Sequence, residues 1–186
     1  MKDKNFEKCN YILKVALTTF LRYGFKKTSM DDIAKAAGIT RQGLYFHFQN
    51  KDEIFAASIR KALKDSMQAV IVALNDDSLS LENKIFNALD AWFGSYVGLF
   101  GSETSDWDFH CERVLGSDIA NSDFQFYEKL KETIIKSVDK QIEDMRVETI
   151  VEVLCTCGRT WKRTVNSHEK FTEKMYHAIR LCCQNL

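Results

Sequence analysis

The stretch TSMDDIAKAAGITRQGLYFHF, residues 28–48, contains two short amphipathic patterns on either side of a glycine. Ser29 and Asp32 have the spacing of a capping box, so a helix is predicted to begin there and to end at Gly38. Thr40 is the predicted N-cap of a second short helix that takes up the rest of the stretch. The order of short helix, glycine turn and short helix predicts a helix-turn-helix.

Longer helical patterns flank this stretch. Residues 5–23 place apolar side chains at spacings of three and four, and Gly24 follows as the expected left-handed end of that helix. A fourth helix is predicted from the Asn50 cap to about residue 74, because its apolar pattern continues without a breaker. The helix-turn-helix is thus expected to lie between two long helices.

The chain of 186 residues contains no proline, and this absence together with the long 3.6-residue periods predicts an all-α protein of about nine helices. We expect a DNA-binding domain at residues 1–50 and a larger helical domain at residues 51–186. Residues 101–123 are the least regular part, where one short helix between two polar loops is expected. Other helices are predicted at about 81–100, 124–142, 146–165 and 168–184.

The composition is that of an ordinary globular protein, with 45% hydrophobic and 28% charged residues. No apolar run reaches the roughly 18 residues that a membrane span needs, and no signal-peptide pattern begins the chain. A cytoplasmic protein without membrane contact is therefore expected. Its six cysteines should be reduced thiols that pack as small hydrophobes.

The net charge of zero conceals an uneven distribution. Residues 1–51 contain ten Lys and Arg against four Asp and Glu, a balance of +6, whereas residues 52–186 contain sixteen against twenty-two, a balance of −6. A basic N-terminal part suggests a polyanionic partner such as nucleic acid, although a charged run is more often only a solvated face. The charge alone leaves both interpretations open.

The helix-turn-helix is a DNA-binding motif whose second helix enters the major groove with its N-terminal end. Arg pairs with guanine edges and Gln with adenine, so Arg41 and Gln42 near the start of that helix are the predicted base readers. Tyr45 can offer its hydroxyl to a phosphate, and Phe46 can press on a thymine methyl. Gly43 weakens the helix by roughly 1 kcal/mol but permits close approach to the duplex.

Phosphate contacts are predicted from helix N-termini and the side chains beside them, namely Thr28, Ser29, Thr40 and Lys51. His47 completes the predicted contact surface. Each of these residues also has a purely structural interpretation: the hydroxyls as caps, the lysine as a solvated charge and the histidine as a partly buried side chain. Because a capped N-terminus still points N–H groups outward, both roles are compatible.

The segment ILKVALTTFLRYGFKKTSMDDIAKAAGITRQGLYFHFQNKDEIF, residues 12–55, resembles the N-terminal domain of the TetR family of bacterial transcriptional regulators. The resemblance covers about a quarter of the chain. One departure is that the family often has glycine at the position of Gln42, which bears on the base contacts rather than on the docking mode. The matching residues are Ala16, Phe20, Gly24, Thr28, Ile33, Ala34, Ala37, Gly38, Leu44, Tyr45, His47, Phe48, Lys51 and Asp52.

This resemblance implies a homodimer that binds a palindromic double-stranded DNA operator, most often as a repressor. It also implies a helical C-terminal domain that dimerises and encloses a small-molecule pocket, whose ligand moves the fourth helix and spreads the paired reading heads. A dimer reads half-sites about 34 to 36 Å apart, so a small rigid-body change at the end of that helix is enough to spoil the spacing.

The last two predicted helices are apolar over more than one face, as expected for helices buried against both their own domain and a partner. The resemblance implies a four-helix interface across a two-fold axis, and a core within one chain is the alternative. The residues predicted at this dimer interface are Val151, Leu154, Cys155, Gly158, Phe171, Met175, Ala178 and Cys182.

Aromatic side chains in the fifth to eighth predicted helices are the candidates for an effector pocket. Aromatic residues at helical spacing more often belong to a core, and they do not identify a ligand. The candidates are Trp92, Phe93, Tyr96, Trp107, Phe109, His110, Tyr127 and Trp161.

A thiol- or metal-responsive regulator that uses the C-terminal cysteines is the alternative hypothesis. Cys155 and Cys157 are about 200 degrees apart around a helix axis, so they cannot both bind one ion without unwinding. The other cysteines and histidines have no spacing that demands convergence, so no metal or cofactor is expected. An enzyme is not expected either, because the sequence has no glycine-rich phosphate loop, no H-E-x-x-H motif and no nucleophile elbow.

Overall fold

The computed structural model describes residues 2–100, 107–138 and 144–184. Within these ranges the chain is helical and contains no strand, which confirms the all-α prediction. A 3₁₀ turn, Gly94–Tyr96, follows the fifth α-helix. The α-helices are α1 (Lys2–Tyr23), α2 (Met30–Ala36), α3 (Arg41–Tyr45), α4 (Lys51–Leu74), α5 (Leu81–Phe93), α6 (Trp107–Ser137), α7 (Asp144–Thr164) and α8 (His168–Cys183).

Local signals place the first four helices close to their predicted positions, although α3 ends at Tyr45 and not at about Phe48. The Ser29 backbone N–H donates to Asp32 Oδ2 at 2.9 Å, and the Asp32 N–H donates to Ser29 Oγ at 3.2 Å, so the predicted capping box is present at the start of α2. Gly24 and Gly38 have φ values of 79° and 66°, the left-handed conformation that ends α1 and α2. Three short-range patterns, one capping box and two left-handed glycines, therefore fix the start and the turns of the helix-turn-helix.

The prediction for residues 101–123 is wrong over residues 107–123, where α6 runs without a break. Its polar residues are bound by other helices rather than by a loop: Asp118 accepts a hydrogen bond from Arg60 at 2.7 Å, and Asp123 accepts one from Trp92 Nε1 at 3.1 Å. Residues 101–106 lie outside the described ranges. The separate short helix is thus part of a 31-residue helix.

The helix predicted at residues 81–100 is too long. In the structure α5 ends at Phe93, and Gly98 beyond the 3₁₀ turn has a φ of 76°. This left-handed backbone is strained for residues with a side chain, so the glycine favours the end of the helical segment. For the helix predicted at 124–142, the described part ends at Ser137, and residues 139–142 lie outside the described ranges.

The chain divides into two compact units. The first unit comprises residues 1–64 and 99–119, and the second comprises residues 65–98 and 120–186. The sequence predicts a domain boundary between residues 50 and 51, which separates the helix-turn-helix from the rest of the chain. This boundary remains a prediction. None of the described helices is both long and apolar enough to cross a membrane.

The core of the first unit is a cluster of aromatic rings contributed by α1, α4 and the connection after α1. Phe20 and Phe55 are fully buried, with ring centroids 5.1 Å apart, and Phe25 lies 4.9 Å from Phe55. Edge-to-face pairs of this kind add to the free energy gained by burial alone. This cluster fixes α1, against which α2 packs, and α3 in turn packs against α2.

In the second unit, α5, α7 and α8 pack against one another. The Trp92 ring stacks on Phe126 at 4.9 Å, and Phe93 lies edge-on to the same ring at 5.8 Å. A Cβ placed on Gly158 would lie 2.4 Å from Phe93 Cδ2, so the glycine permits the close approach of α7 to α5. These contacts form a core within the single chain.

Candidate nucleic-acid interface

The helix-turn-helix is held by its buried side chains and by its turn. Leu44 in α3 and Phe48 just beyond its end are buried, as their spacing predicts, and they anchor this segment in the core. The Ile39 N–H donates to Ala34 O at 3.0 Å, which locks the turn after α2. Thr40 caps α3 by accepting a hydrogen bond from the Gly43 N–H at 3.0 Å. One face of α3 is therefore committed to the core and the other faces solvent.

The outward face of α3 contains the predicted base readers. Arg41 and Gln42 are exposed, Tyr45 is 41% exposed and Phe46 is 82% exposed. An aromatic ring as exposed as Phe46 gains little from the core of its own chain, so its apolar surface is available to a partner. Cationic, amide, hydroxyl and apolar groups thus share one surface, which matches the functional groups displayed in a DNA major groove.

Arg41 is held on two sides. Its Nη1 donates to Asp31 Oδ2 of α2 at 2.9 Å, and its guanidinium lies over the Tyr45 ring at 5.5 Å from the centroid. The Tyr45 side chain, followed by the Asp31 carboxylate, raises the pKa of Arg41 above its ordinary value. The sequence analysis missed Asp31, because a pair separated by ten positions across a turn has no local spacing signal.

The three predicted phosphate-binding hydroxyls all take part in local hydrogen bonds. Thr28 is buried, and its Oγ1 donates to Gly24 O at 2.8 Å. Ser29 Oγ donates to Asp32 Oδ2 at 2.6 Å. Thr40 Oγ1 accepts from a backbone N–H, which leaves its hydroxyl proton available for another acceptor. Of the three hydroxyls, that of Thr40 is best placed to donate to a phosphate.

Lys51 is bound to the connection between α1 and α2. Its Nζ donates to Phe25 O at 2.8 Å and lies 4.3 Å from the centroid of the Phe25 ring. An ammonium group has three donors, so two remain for other acceptors. Lys51 therefore has a structural contact in addition to its predicted phosphate contact.

Gly43 and His47 complete the predicted surface. A Cβ on Gly43 would lie 3.1 Å from Thr40 Oγ1, so the glycine also leaves room for the cap of α3. His47 is partly buried and lies edge-on to the Phe46 ring at 5.3 Å. Both residues shape the exposed end of α3.

A basic groove of about 900 Å³ lies along α1 and α2. The tyrosines Tyr11 and Tyr23, both more than half exposed, line it. The charged lining side chains are Lys14, Arg22, Lys27 and Lys35, against the single carboxylate of Asp32. This excess of cations contributes to the net charge of +6 of residues 1–51. It favours the binding of a polyanion on this side of the first unit.

The eight candidate effector residues are divided between the two units. Trp107, Phe109 and His110 belong to the first unit, and the other five belong to the second. Trp92 and Phe93 are core residues of the second unit, whereas Tyr96, Tyr127 and Trp161 are partly exposed. A cavity of about 380 Å³ in the second unit is lined by other residues, among them His177, Arg180 and Leu181.

Among the residues predicted at the dimer interface, most are already covered by their own chain. Ala178 and Cys182 are partly exposed. The apolar side chains that α7 and α8 expose are others, including Val153, Tyr176 and Leu181, the last of which is 77% exposed. The buried ones are Val151, Leu154, Cys155, Gly158, Phe171 and Met175.

The cysteines lie in surroundings that disfavour the thiolate. Burial raises the pKa of Cys155 from 9.0 to about 12 and that of Cys183 to about 11. Burial also raises the pKa of Cys157 and Cys182. Since the thiolate is both the nucleophile and the metal ligand, these thiols are poorly suited to either role at neutral pH. Among the described residues, no three His, Cys, Asp or Glu side chains are grouped to hold a metal ion.

The sequence has recognisable relatives among bacterial regulators. Residues 12–58 match the family model described as bacterial regulatory proteins, tetR family. The chain is 24% identical over 178 residues to the biofilm operon icaADBC HTH-type negative transcriptional regulator IcaR of Staphylococcus epidermidis. That alignment covers 92% of this chain and 87% of IcaR.

Solved structures share the fold. A TetR-like transcriptional regulator from Rhodococcus sp. RHA1 is similar with a TM-score of 0.66 at 23% identity, over 96% of this chain and 97% of that chain. AibR, solved in complex with isovaleryl coenzyme A and operator DNA, is similar with a TM-score of 0.62 at 16% identity, over 91% of this chain and 96% of that chain. The family match and the shared fold lead to one conclusion: residues 12–58 are a DNA-binding domain of the TetR family of bacterial regulatory proteins, in a chain that has the fold of TetR-like transcriptional regulators.

Proposed function

We propose that this protein is a homodimeric, non-enzymatic repressor that binds a palindromic DNA operator in the cytoplasm and is released by a small organic effector. The observation that carries the proposal is the outward face of α3, where Arg41, Gln42, Tyr45 and Phe46 are exposed on a helix whose other face is buried. A rigid helix with exposed groups of this kind is suited to direct readout of base edges.

The geometry of the first unit supports a role for each residue in the proposed contact with DNA. Arg41 and Gln42 read bases, and Phe46 contacts a thymine methyl. Thr40 donates its hydroxyl proton to a phosphate, as does the Tyr45 hydroxyl. Lys51 uses its two remaining N–H donors on the DNA backbone. The hydroxyl protons of Thr28 and Ser29 and the backbone N–H of Ser29 are already donated within the chain, so these two residues position the start of α2 rather than donate to a phosphate.

Dimerisation is supported by the apolar side chains that the second unit leaves exposed. Val153 on α7 and Tyr176 and Leu181 on α8 belong to the two helices predicted to pair across the two-fold axis. A two-fold dimer would place two copies of α3 at the spacing of successive turns of DNA, about 34 to 36 Å. IcaR is a negative transcriptional regulator, and negative regulation agrees with an operator that is blocked when the protein occupies it.

Release by an effector is supported by the chemistry of the second unit and by a structural relative. Tyr96, Tyr127 and Trp161 combine partly exposed aromatic surface with polar tips, which suits a small organic ligand. AibR, of the same fold, is solved with both isovaleryl coenzyme A and operator DNA. The raised pKa values of Cys155 and Cys183 make a thiol or metal switch the weaker hypothesis.

Fluorescence anisotropy titrations test the proposal. The probes are labelled duplex DNA from upstream of the protein's own coding sequence and a scrambled duplex of equal length, each at several salt concentrations. Tighter binding to the upstream duplex at moderate salt is expected, with a loss of about 1–3 kcal/mol for Arg41→Ala. As a control, Lys136→Ala removes an exposed cation from α6 in the second unit and should leave binding unchanged. If the protein binds neither duplex, and selects no sequence from a random duplex pool, the repressor proposal is wrong.

A further inference from the structure

Arg41 has an arrangement that goes beyond its role as a base reader. Its guanidinium is held at one edge by Asp31, which belongs to α2, and on one face by Tyr45, which lies one turn further along α3. The two neighbours therefore restrict the side chain in two different directions. Long exposed arginine side chains otherwise sample many rotamers.

The contact with Asp31 is compatible with base recognition. A guanidinium group has five N–H donors, and the bond from Nη1 to Asp31 Oδ2 uses one of them. Two of the remaining donors are enough for the bidentate contact with guanine O6 and N7. Arg41 can thus keep its carboxylate partner while it reads a base.

The acidic side chain is otherwise unfavourable at this place. Asp31 is more than half exposed on the surface that is expected to face a polyanion, so its charge repels phosphates. An exposed ion pair contributes little to folding stability. Asp31 also lies in the first turn of α2, where the helix dipole favours a carboxylate. That interaction requires no contact with Arg41, whereas the orientation of the arginine accounts for the contact.

We propose that Asp31 is a positioning residue that presents Arg41 for the recognition of one guanine in each half-site, at the expense of affinity for DNA in general. This inference rests on the proposed function. When the pair enters a groove from which water is excluded, the attraction between the two charges becomes stronger than in the free protein. A pre-positioned side chain also loses less conformational entropy when it binds.

The test resolves base discrimination position by position. An operator is first selected from a random duplex pool with the wild-type protein, and each G·C pair is then replaced by A·T. The base read by Arg41 is the guanine whose replacement weakens wild-type binding but not binding by Arg41→Ala. Discrimination at this base and at every other position is then measured for Asp31→Asn and Asp31→Glu.

Asp31→Asn should lower discrimination at the Arg41 guanine by about two- to tenfold, the equivalent of ordering one long side chain. Discrimination at the other positions should not change, and affinity for a scrambled duplex should rise or stay constant. Asp31→Glu keeps the charge and should restore part of the loss. Glu7→Gln, which removes one exposed carboxylate from α1, is the matched charge control and should leave discrimination unchanged at every position.

Several results would overturn the inference while the repressor proposal stands. One is unchanged discrimination at the Arg41 guanine in Asp31→Asn; another is an equal loss at all positions, which would indicate a general structural effect. A third is a selected operator in which no guanine depends on Arg41. A double-mutant cycle adds a further check, because coupling between positions 31 and 41 should appear on the operator and vanish on the scrambled duplex. Failure to select any sequence would instead reject the proposed function.

Discussion

The contact between Lys51 and the connection after α1 predicts that this lysine stabilises the first unit independently of DNA. Its Nζ donates to Phe25 O at 2.8 Å and lies 4.3 Å from the Phe25 ring centroid. A hydrogen bond from a charged donor contributes about 1.5–3 kcal/mol, and a cation–π contact about 0.5–1 kcal/mol. Because one ammonium group makes both contacts, we expect the variant Lys51→Met to lose about 2 kcal/mol rather than the sum.

Methionine keeps much of the apolar stem of the side chain, so the substitution removes mainly the charge and its donors. For a chain of this length, 1 kcal/mol corresponds to about 2–4 °C in the midpoint of thermal unfolding, so a fall of about 4–8 °C is expected. Circular dichroism in the absence of DNA measures this fall. The matched control is Lys35→Met on the exposed surface of α2, which should melt like the wild type.

The same variants separate structural from electrostatic effects on DNA binding. Both should weaken binding to all duplexes and reduce its salt dependence, since each removes one cation from the first unit. Only Lys51→Met should also lower the melting temperature. If Lys51→Met melts within the error of the wild type, the structural role that we assign to the lysine is refuted.

Three further predictions test the packing, the exposed aromatic ring and the buried thiol. Gly158→Ala should destabilise the protein by about 1–3 kcal/mol in urea unfolding, because its Cβ would lie 2.4 Å from Phe93 Cδ2. The control Gly116→Ala, whose Cβ meets only a flexible Glu side chain, should not destabilise the protein, and equal effects of the two variants would contradict the packing of α7 on α5. Phe46→Ala should leave the unfolding free energy within about 0.5 kcal/mol of the wild type but weaken operator binding, and a large loss of stability would argue against an exposed contact residue. Burial raises the pKa of Cys155 from 9.0 to about 12, so the thiol ionises first in the unfolded state, and its contribution to stability is retained below about pH 9 and lost as pH rises toward 12. In urea titrations the free energy of unfolding of Cys155→Ala should therefore fall less steeply with alkaline pH than that of the wild type. An equal fall in both proteins would show that the thiol does not contribute.

The helix-turn-helix could be predicted because its signals are local. Ser29 and Asp32 are three positions apart, and Gly38 ends a helix by its own backbone conformation, so no distant residue is needed. The partners of Arg41 and Lys51 could not be predicted in this way. Asp31 is ten positions from Arg41, and Phe25 is 26 positions from Lys51, and both contacts depend on how the helices pack.

The continuous helix α6 could not be predicted from the sequence for a related reason. Polar residues such as Asp118 and Asp123 are typical of loops, but each carboxylate is paired with a side chain more than 30 positions away. Long-range hydrogen bonds of this kind let a helix continue through residues of low helix propensity. In α6, contacts between distant residues therefore stabilise the helix, whereas in the helix-turn-helix local signals are sufficient to form the helices.

The start of α4 is bound to α1 strongly enough to move with the reading helix. Ile54 and Phe55 are fully buried in the first unit, and Lys51 holds Phe25 O. A hinge between residues 50 and 51 would break all of these contacts. A hinge near residue 64, where the part of α4 that belongs to the first unit ends, would keep them. We therefore expect the backbone amides of residues 51–64 to share the hydrogen-exchange protection of α1 with and without DNA. Exchange in which residues 51–64 instead open together with residues 65–74, while α1 stays protected, would place the hinge at the predicted domain boundary.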